Sequence, residues 1–285
     1  MPPPPPPFLA RSRPTAVYLL VVIVGAAAFL YPFWLPAGTL ANADHTGDAP
    51  LVAAAVGALV VAAVTLELRR ATMNGATVAL LGVLSAIAGL LRLVDLPGGG
   101  SGIFFLVILA GAAFGPRFGM LLGLCSMATS AVITGGIGPW LPFQMLVLAW
   151  LGGASGFAGR VTRRLPPLAE VAVLALGGWF AGFLYGAVMN LWFWPFTVGS
   201  GALAWQPGLS LSATLQRYWS FYVATSLPWD AAGAFANAVL ILTTGRHILP
   251  GLRRVAHRLD PVVELEDLEP GRDEGGPRAE AAFVS

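Results

Sequence analysis

Asp230 lies well inside an apolar run at 217–245, beside Trp229. Asn237 lies in the same run. Gln144 stands one turn inside another, at 140–159, and Asn190 near the end of a third, at 168–193. A carboxylate or an amide in apolar surroundings is costly unless it pairs or binds something. Two chemistries suit this set. In one, Gln144, Asn190, Asp230 and Asn237 hydrogen-bond a ligand while Trp140, Trp219, Tyr222 and Trp229 supply stacking walls. In the other, Asp230 is the centre of an intramembrane enzyme. Helix–helix hydrogen bonds for the amides, and a cap after Pro228 for Asp230, are the structural alternatives.

The residue inventory excludes much else. The histidines, His45, His247 and His257, all fall outside the apolar runs. That argues against a histidine metal site or a Ser-His pair within them. The chain contains no lysine, so no P-loop of the GxxxxGK[ST] type exists. Cys125 is the single cysteine and reads as a small core residue. No catalytic residue, metal or cofactor is assigned.

The elements that must position these residues follow from composition. Apolar residues make up 56% of the chain, charged residues 11%, and the mean hydropathy is +0.75. A soluble domain has roughly 25% charged residues, so lipid is the expected solvent. Runs at about 15–35, 50–68, 74–94, 102–115, 117–134, 140–159, 168–193 and 217–245 approach the ~20 residues of a spanning helix. The fourth is short, and Pro228 is expected to kink the last. Arginines cluster at every second junction: Arg11 and Arg13, Arg69 and Arg70, Arg117, Arg160 with Arg163 and Arg164, then Arg246, Arg253, Arg254 and Arg258. The positive-inside rule then places both termini on the cytoplasmic side of the cell membrane.

With that orientation the polar and aromatic residues gather in the outer half. Trp219, Tyr222, Ser226, Asp230, Gly233 and Asn237 are spaced three or four apart on the last run and so are expected to share one face. Trp194 and Trp205 read as an interfacial aromatic belt. Glu67, Arg92, Asp95 and Glu170 sit near helix ends, where snorkelling or end-cap pairing accounts for them. In GGIGPWLPFQM (135–145) the glycines permit a tight outer turn, and Pro139 suits the first position of a helix. Gln144 then points inward. The glycine-rich loop 95–102 is a candidate lid. Gly75, Ala79, Gly82, Ala86 and Gly89 form a small-residue stripe on the third run, suited to internal packing or to docking of a partner.

Three stretches carry a family resemblance: NGATVALLGVLSAIAGLLRLV (74–94), FFLVILAGAAFGPRFGMLLG (104–123) and TGGIGPWLPFQM (134–145). From about 74 to 245 the chain resembles the substrate-binding S components of energy-coupling factor (ECF) vitamin transporters. The resemblance implies a six-helix core, an outer pocket closed by the loop 95–102, and a small-residue motif that meets a transmembrane coupling subunit. Two ATPase subunits would supply the energy. Family members often carry Ala-xxx-Ala in that motif, where this chain has Gly75-xxx-Ala79 and Gly82-xxx-Ala86. Among S components the sequence looks closest to the cobalamin-type branch. A pocket rich in tryptophan and poor in charge suits a large, weakly charged ligand. Riboflavin, thiamine and queuosine-type precursors are the alternatives.

The expected architecture is an all-α integral membrane protein. A proline-rich tail (1–14) precedes two additional helices (15–70), a six-helix S-component-like core (71–246) and an acidic, mostly disordered tail (247–285). The expected function is substrate capture for an ECF-type importer. A standalone secondary transporter, an enzyme centred on Asp230 and a scaffolding protein are the rivals.

Overall fold

The computed structural model describes residues 16–34, 49–69, 73–96, 100–196 and 201–259. Two helices come first: α1 (Ala16–Leu30), which ends in a 3-10 turn (Tyr31–Trp34), and α2 (Ala49–Arg69). After α3 (Gly75–Leu91) comes a two-residue antiparallel pair, β1 (Asp95–Leu96) with β2 (Gly100–Ser101). Then follow α4 (Ile103–Phe114), α5 (Pro116–Thr134), α6 (Leu141–Thr162) and α7 (Pro167–Phe193), which continues into a 3-10 turn (Trp194–Phe196). The described chain ends with α8 (Leu211–Thr225) and α9 (Leu227–Leu259).

The expected all-α membrane architecture stands. Ala16–Trp34, Pro116–Thr134, Leu141–Thr162 and Pro167–Phe196 are long and apolar enough to cross a membrane, and Pro50–Ala63, Gly75–Leu91 and Ile103–Phe114 are shorter apolar helices. The shortest, α4, is the centre of the fold. All but one of its 12 residues are buried, because α3, α5, α6, α7 and α9 all pack around it. A helix that is apolar all round belongs in such a place.

Glycine sets how closely these helices approach. Gly115 ends α4 at φ 97°, a conformation open to glycine and strained for other residues. Pro116 then opens α5 with no amide hydrogen to lose. This is the physical content of FGPRFG: a one-residue reversal between two buried helices. Gly119 on α5 and Gly152 on α6 face each other so closely that a Cβ on either would enter the other's carbonyl group. In lipid, where water expulsion contributes little between helices, such backbone contact is what holds them together.

Three expectations change. The run at 217–245 is divided at Ser226, whose φ of −125° departs from helical values. Pro228 lies in the first turn of α9 and has no amide to carry the ladder across the break. The last helix also runs beyond 245 to Leu259, with Pro250 inside it. Its end is tied down: the Asn74 side chain, which caps α3 through Thr77 N, donates to Leu259 O at 3.1 Å. Finally, α6 begins at Leu141, so Pro142 and not Pro139 occupies its first turn. Gly138 to Trp140 form the preceding turn, closed by Leu141 N donating to Gly138 O at 3.0 Å.

The two extra helices lie against one side of the core. Phe29 on α1 packs its ring edge-on to Phe143 at 5.2 Å and beside Trp150 at 5.8 Å, both on α6. Phe33 extends the contact to Trp194 and Trp205. Trp194 is therefore no belt residue. It is 1% exposed, donates through Nε1 to Leu203 O at 2.8 Å, and meets Tyr218 edge-on at 5.2 Å.

At the opposite end of α7, Glu170 is buried rather than snorkelling. Arg253 of α9 grips it with two hydrogen bonds, at 2.8 and 2.6 Å, and Thr162 Oγ1 donates to it at 3.1 Å. A bidentate guanidinium–carboxylate pair of this kind fixes both distance and angle. It ties α7 to α9 at the end bearing Arg160, Arg163 and Arg164.

Candidate ligand site

The α7–α9 contact builds the site. Gly178, Gly182 and Gly186 recur every four residues on α7 and meet Asn237, Ala234 and Asp230 on α9 in register. The absence of side chains on the α7 face lets α9 settle against its backbone. Asn237 is 2% exposed, and its Nδ2 donates to Gly178 O at 2.8 Å. The Asp230 carboxylate fills the space that a Cβ on Gly186 would occupy.

Beside this contact is a cavity of about 270 Å³. Gln144 of α6, Tyr185 of α7, and Trp229, Asp230 and Asn237 of α9 line it. Arg92, the residue that caps α3, and Phe104 of α4 close another side. Gly100 and Ser101 of β2 form part of the rim, and Gly100 rests on Gly233 of α9. Residues 97–99 of the expected lid lie outside the described residues. The Phe104 and Tyr185 rings meet edge-on at 4.9 Å, which makes a firm aromatic wall.

Buried acceptors in this cavity lack partners. Gln144 Oε1, Asp230 Oδ2 and Asn237 Oδ1 are all buried without a hydrogen bond among the described residues. Asn237 cannot relieve this by turning its amide, because Nδ2 is already committed to Gly178 O. Arg92 is also underused: its guanidinium reaches Met127 Sδ at 2.9 Å, a weak acceptor. The cavity thus presents acceptors on one side and a cation on another.

The expected residues divide. Gln144, Trp229, Asp230 and Asn237 line the cavity. Trp219 and Tyr222 line a separate apolar groove of about 730 Å³ between α4, α6, α7 and α8, with Trp179, Phe180 and Phe183. Tyr222 approaches Asp230 from that side, although its hydroxyl completes no hydrogen bond of good geometry. Trp140 folds over Gly138 and remains 40% exposed. Asn190 donates to Ser226 Oγ at 2.7 Å and braces the α8–α9 break. Arg92, Tyr185 and Phe104 complete the cavity. For Arg92 the signal was present as an ionisable residue near the end of an apolar run, and the side chain of Asp95, its expected partner there, lies outside the described residues.

The sequence model of the family described as "ECF transporter, substrate-specific component" matches residues 76–244. The match covers more than half of the chain and every residue of the cavity. The chain belongs to this family. No curated protein and no solved structure matches it.

As an S component of an ECF transporter, the chain is a multi-pass membrane protein and the substrate-specific subunit of its complex. S components are transport subunits that bind a substrate and work with a membrane coupling subunit and ATPases. In this S component the match begins at α3 and ends within α9. The helices α1 and α2 stand outside it.

Proposed function

We propose that this S component captures a vitamin or related micronutrient in the cavity between α6, α7 and α9, from the outer side of the cell membrane. The observation that carries the reading is the set of buried, partnerless acceptors on Gln144, Asp230 and Asn237 around one space. An unpaired buried acceptor costs about 1–3 kcal/mol, so three in one cavity call for an occupant. The sequence resemblance points first to cobalamin. Pockets for drug-sized ligands run from roughly 300 to 1,000 Å³, and this one is about 270 Å³. The reading therefore ranks smaller vitamins ahead of cobalamin.

The coupling subunit is assigned to the open face of α3. A Cβ added at Gly75 or Gly82 would meet nothing within 4 Å, and Ala79 is exposed on the same side. Ala86 is half-buried at the edge of this stripe, while Gly89 packs internally against Ser130. The additional helices α1 and α2 pack on α6 and α7, which leaves the α3 face free. The arginine-rich ends of α6 and α9 support a cytoplasmic location for both termini.

Uptake into proteoliposomes tests this reading. Radiolabelled thiamine, riboflavin and cobalamin are offered to the chain alone and to the chain with a coupling subunit and ATPases. The reading predicts uptake of one of them only with the module and ATP. Uptake by the chain alone would establish a secondary transporter instead.

A further inference from the structure

We infer that the ligand of this cavity is amphoteric, carrying an acidic group at one end and a protonated amine or amino-heterocycle at the other. The inference rests on the proposed function and narrows its substrate class. Two charged side chains of opposite sign, Arg92 and Asp230, line the same small cavity, yet no ion pair joins them among the described residues. They come from different helices, α3 and α9, and approach from different sides. Charges of opposite sign left apart in a low-dielectric space each need a counter-charge. A single ligand bridging them supplies both.

The hydrogen-bond inventory agrees. The guanidinium of Arg92 offers five N–H donors and, among the described residues, has one thioether as partner. It is built to receive a planar carboxylate or a phosphate. Toward α6 and α9 the ligand meets three buried acceptors with no hydrogen-bond partner among the described residues: Gln144 Oε1, Asp230 Oδ2 and Asn237 Oδ1. That side must be met with donors. A purely anionic ligand would leave Asp230 uncompensated, and a purely cationic one would leave Arg92 so.

The test is mass spectrometry of the small molecule that co-purifies with the full chain in detergent. Wild type is compared with Arg92→Gln, Arg92→Lys and Asp230→Asn, each checked for monodisperse elution and thermal midpoint. Arg92→Lys retains the charge and keeps the test readable should Arg92→Gln fail to fold. In parallel, thiamine monophosphate, thiamine, pantothenate and riboflavin are tested for a thermal shift. The inference predicts a bound compound bearing both groups. Occupancy falls about tenfold or more in Arg92→Gln and in Asp230→Asn, as expected for one lost charge-assisted contact, and by less in Arg92→Lys. A bound compound lacking either group, or full occupancy in Arg92→Gln, overturns the inference and leaves the proposed function standing. No bound compound in wild type, together with no shift from any probe, overturns both.

Discussion

The Asp230 carboxylate on α9 lies against the backbone of Gly186 on α7, in the space where any other residue would place its Cβ. The polar cavity depends on this contact, because it fixes the carboxylate at the cavity wall. Gly186→Ala must push Asp230 aside. Overpacking of this kind costs about 1–3 kcal/mol, and ligand affinity should fall with it. Gly177, one face away, has open space around it, so Gly177→Ala should leave both the thermal midpoint and ligand affinity unchanged. Thermal unfolding and ligand titration of the two variants check the contrast.

Asn237 holds α9 to α7 and, in the proposed function, also meets the ligand. Asn237→Leu removes its hydrogen bond to Gly178 O and should lower stability by about 0.6–1.7 kcal/mol, the range for interhelical hydrogen bonds in membranes. It should also weaken ligand binding. Equal binding by Asn237→Leu and wild type would place the ligand elsewhere.

The Glu170–Arg253 pair holds the far end of the same two helices. Arg253→Ala leaves Glu170 buried without its bidentate partner, with only Thr162 Oγ1 and the nearby Arg163 charge to offset it, and should cost up to about 3–5 kcal/mol. Replacing both residues with methionine removes the stranded charge and should recover most of the loss. A double mutant as unstable as Arg253→Ala would show that the geometry of the pair, not the lone charge, matters.

The α3 face is open in this chain, and Gly82→Leu projects into that opening. Ligand binding and thermal midpoint should be unchanged. ATP-dependent uptake and co-purification with the coupling subunit should fall by at least about tenfold, since small residues permit close helix contact. Undiminished uptake would remove the coupling subunit from this face.

Much of this was legible in the sequence because lipid leaves so few options. Apolar runs had to become helices, and Gln144, Asp230 and Asn237 stood out as polar residues without water. The GPRFG reversal and the turn at Gly135 could be read from glycine and proline alone. The failures share a cause: spacing along a helix says nothing once the helix bends. Trp219 and Tyr222 share a face with Asp230 and Asn237 only in a straight helix. The break at Ser226 turns the first pair toward the apolar groove and the second toward the cavity. Gly178, Gly182 and Gly186 were visible as a four-residue repeat, but their partners on α9 became evident only in three dimensions. The continuation of α9 to Leu259 was hidden because arginines after 245 mark the end of a span, not the end of a helix.

The most direct test of the central claim, that the polar cavity and not the apolar groove holds the ligand, is occupancy of the co-purified small molecule in two variants. Gln144 lines the cavity and its Oε1 has no hydrogen-bond partner among the described residues, while Trp219 is exposed in the groove. The account predicts that Gln144→Ala loses most of its bound ligand with little change in thermal midpoint, and that Trp219→Ala keeps it. Retention by Gln144→Ala with loss in Trp219→Ala would contradict the account and move the ligand to the groove.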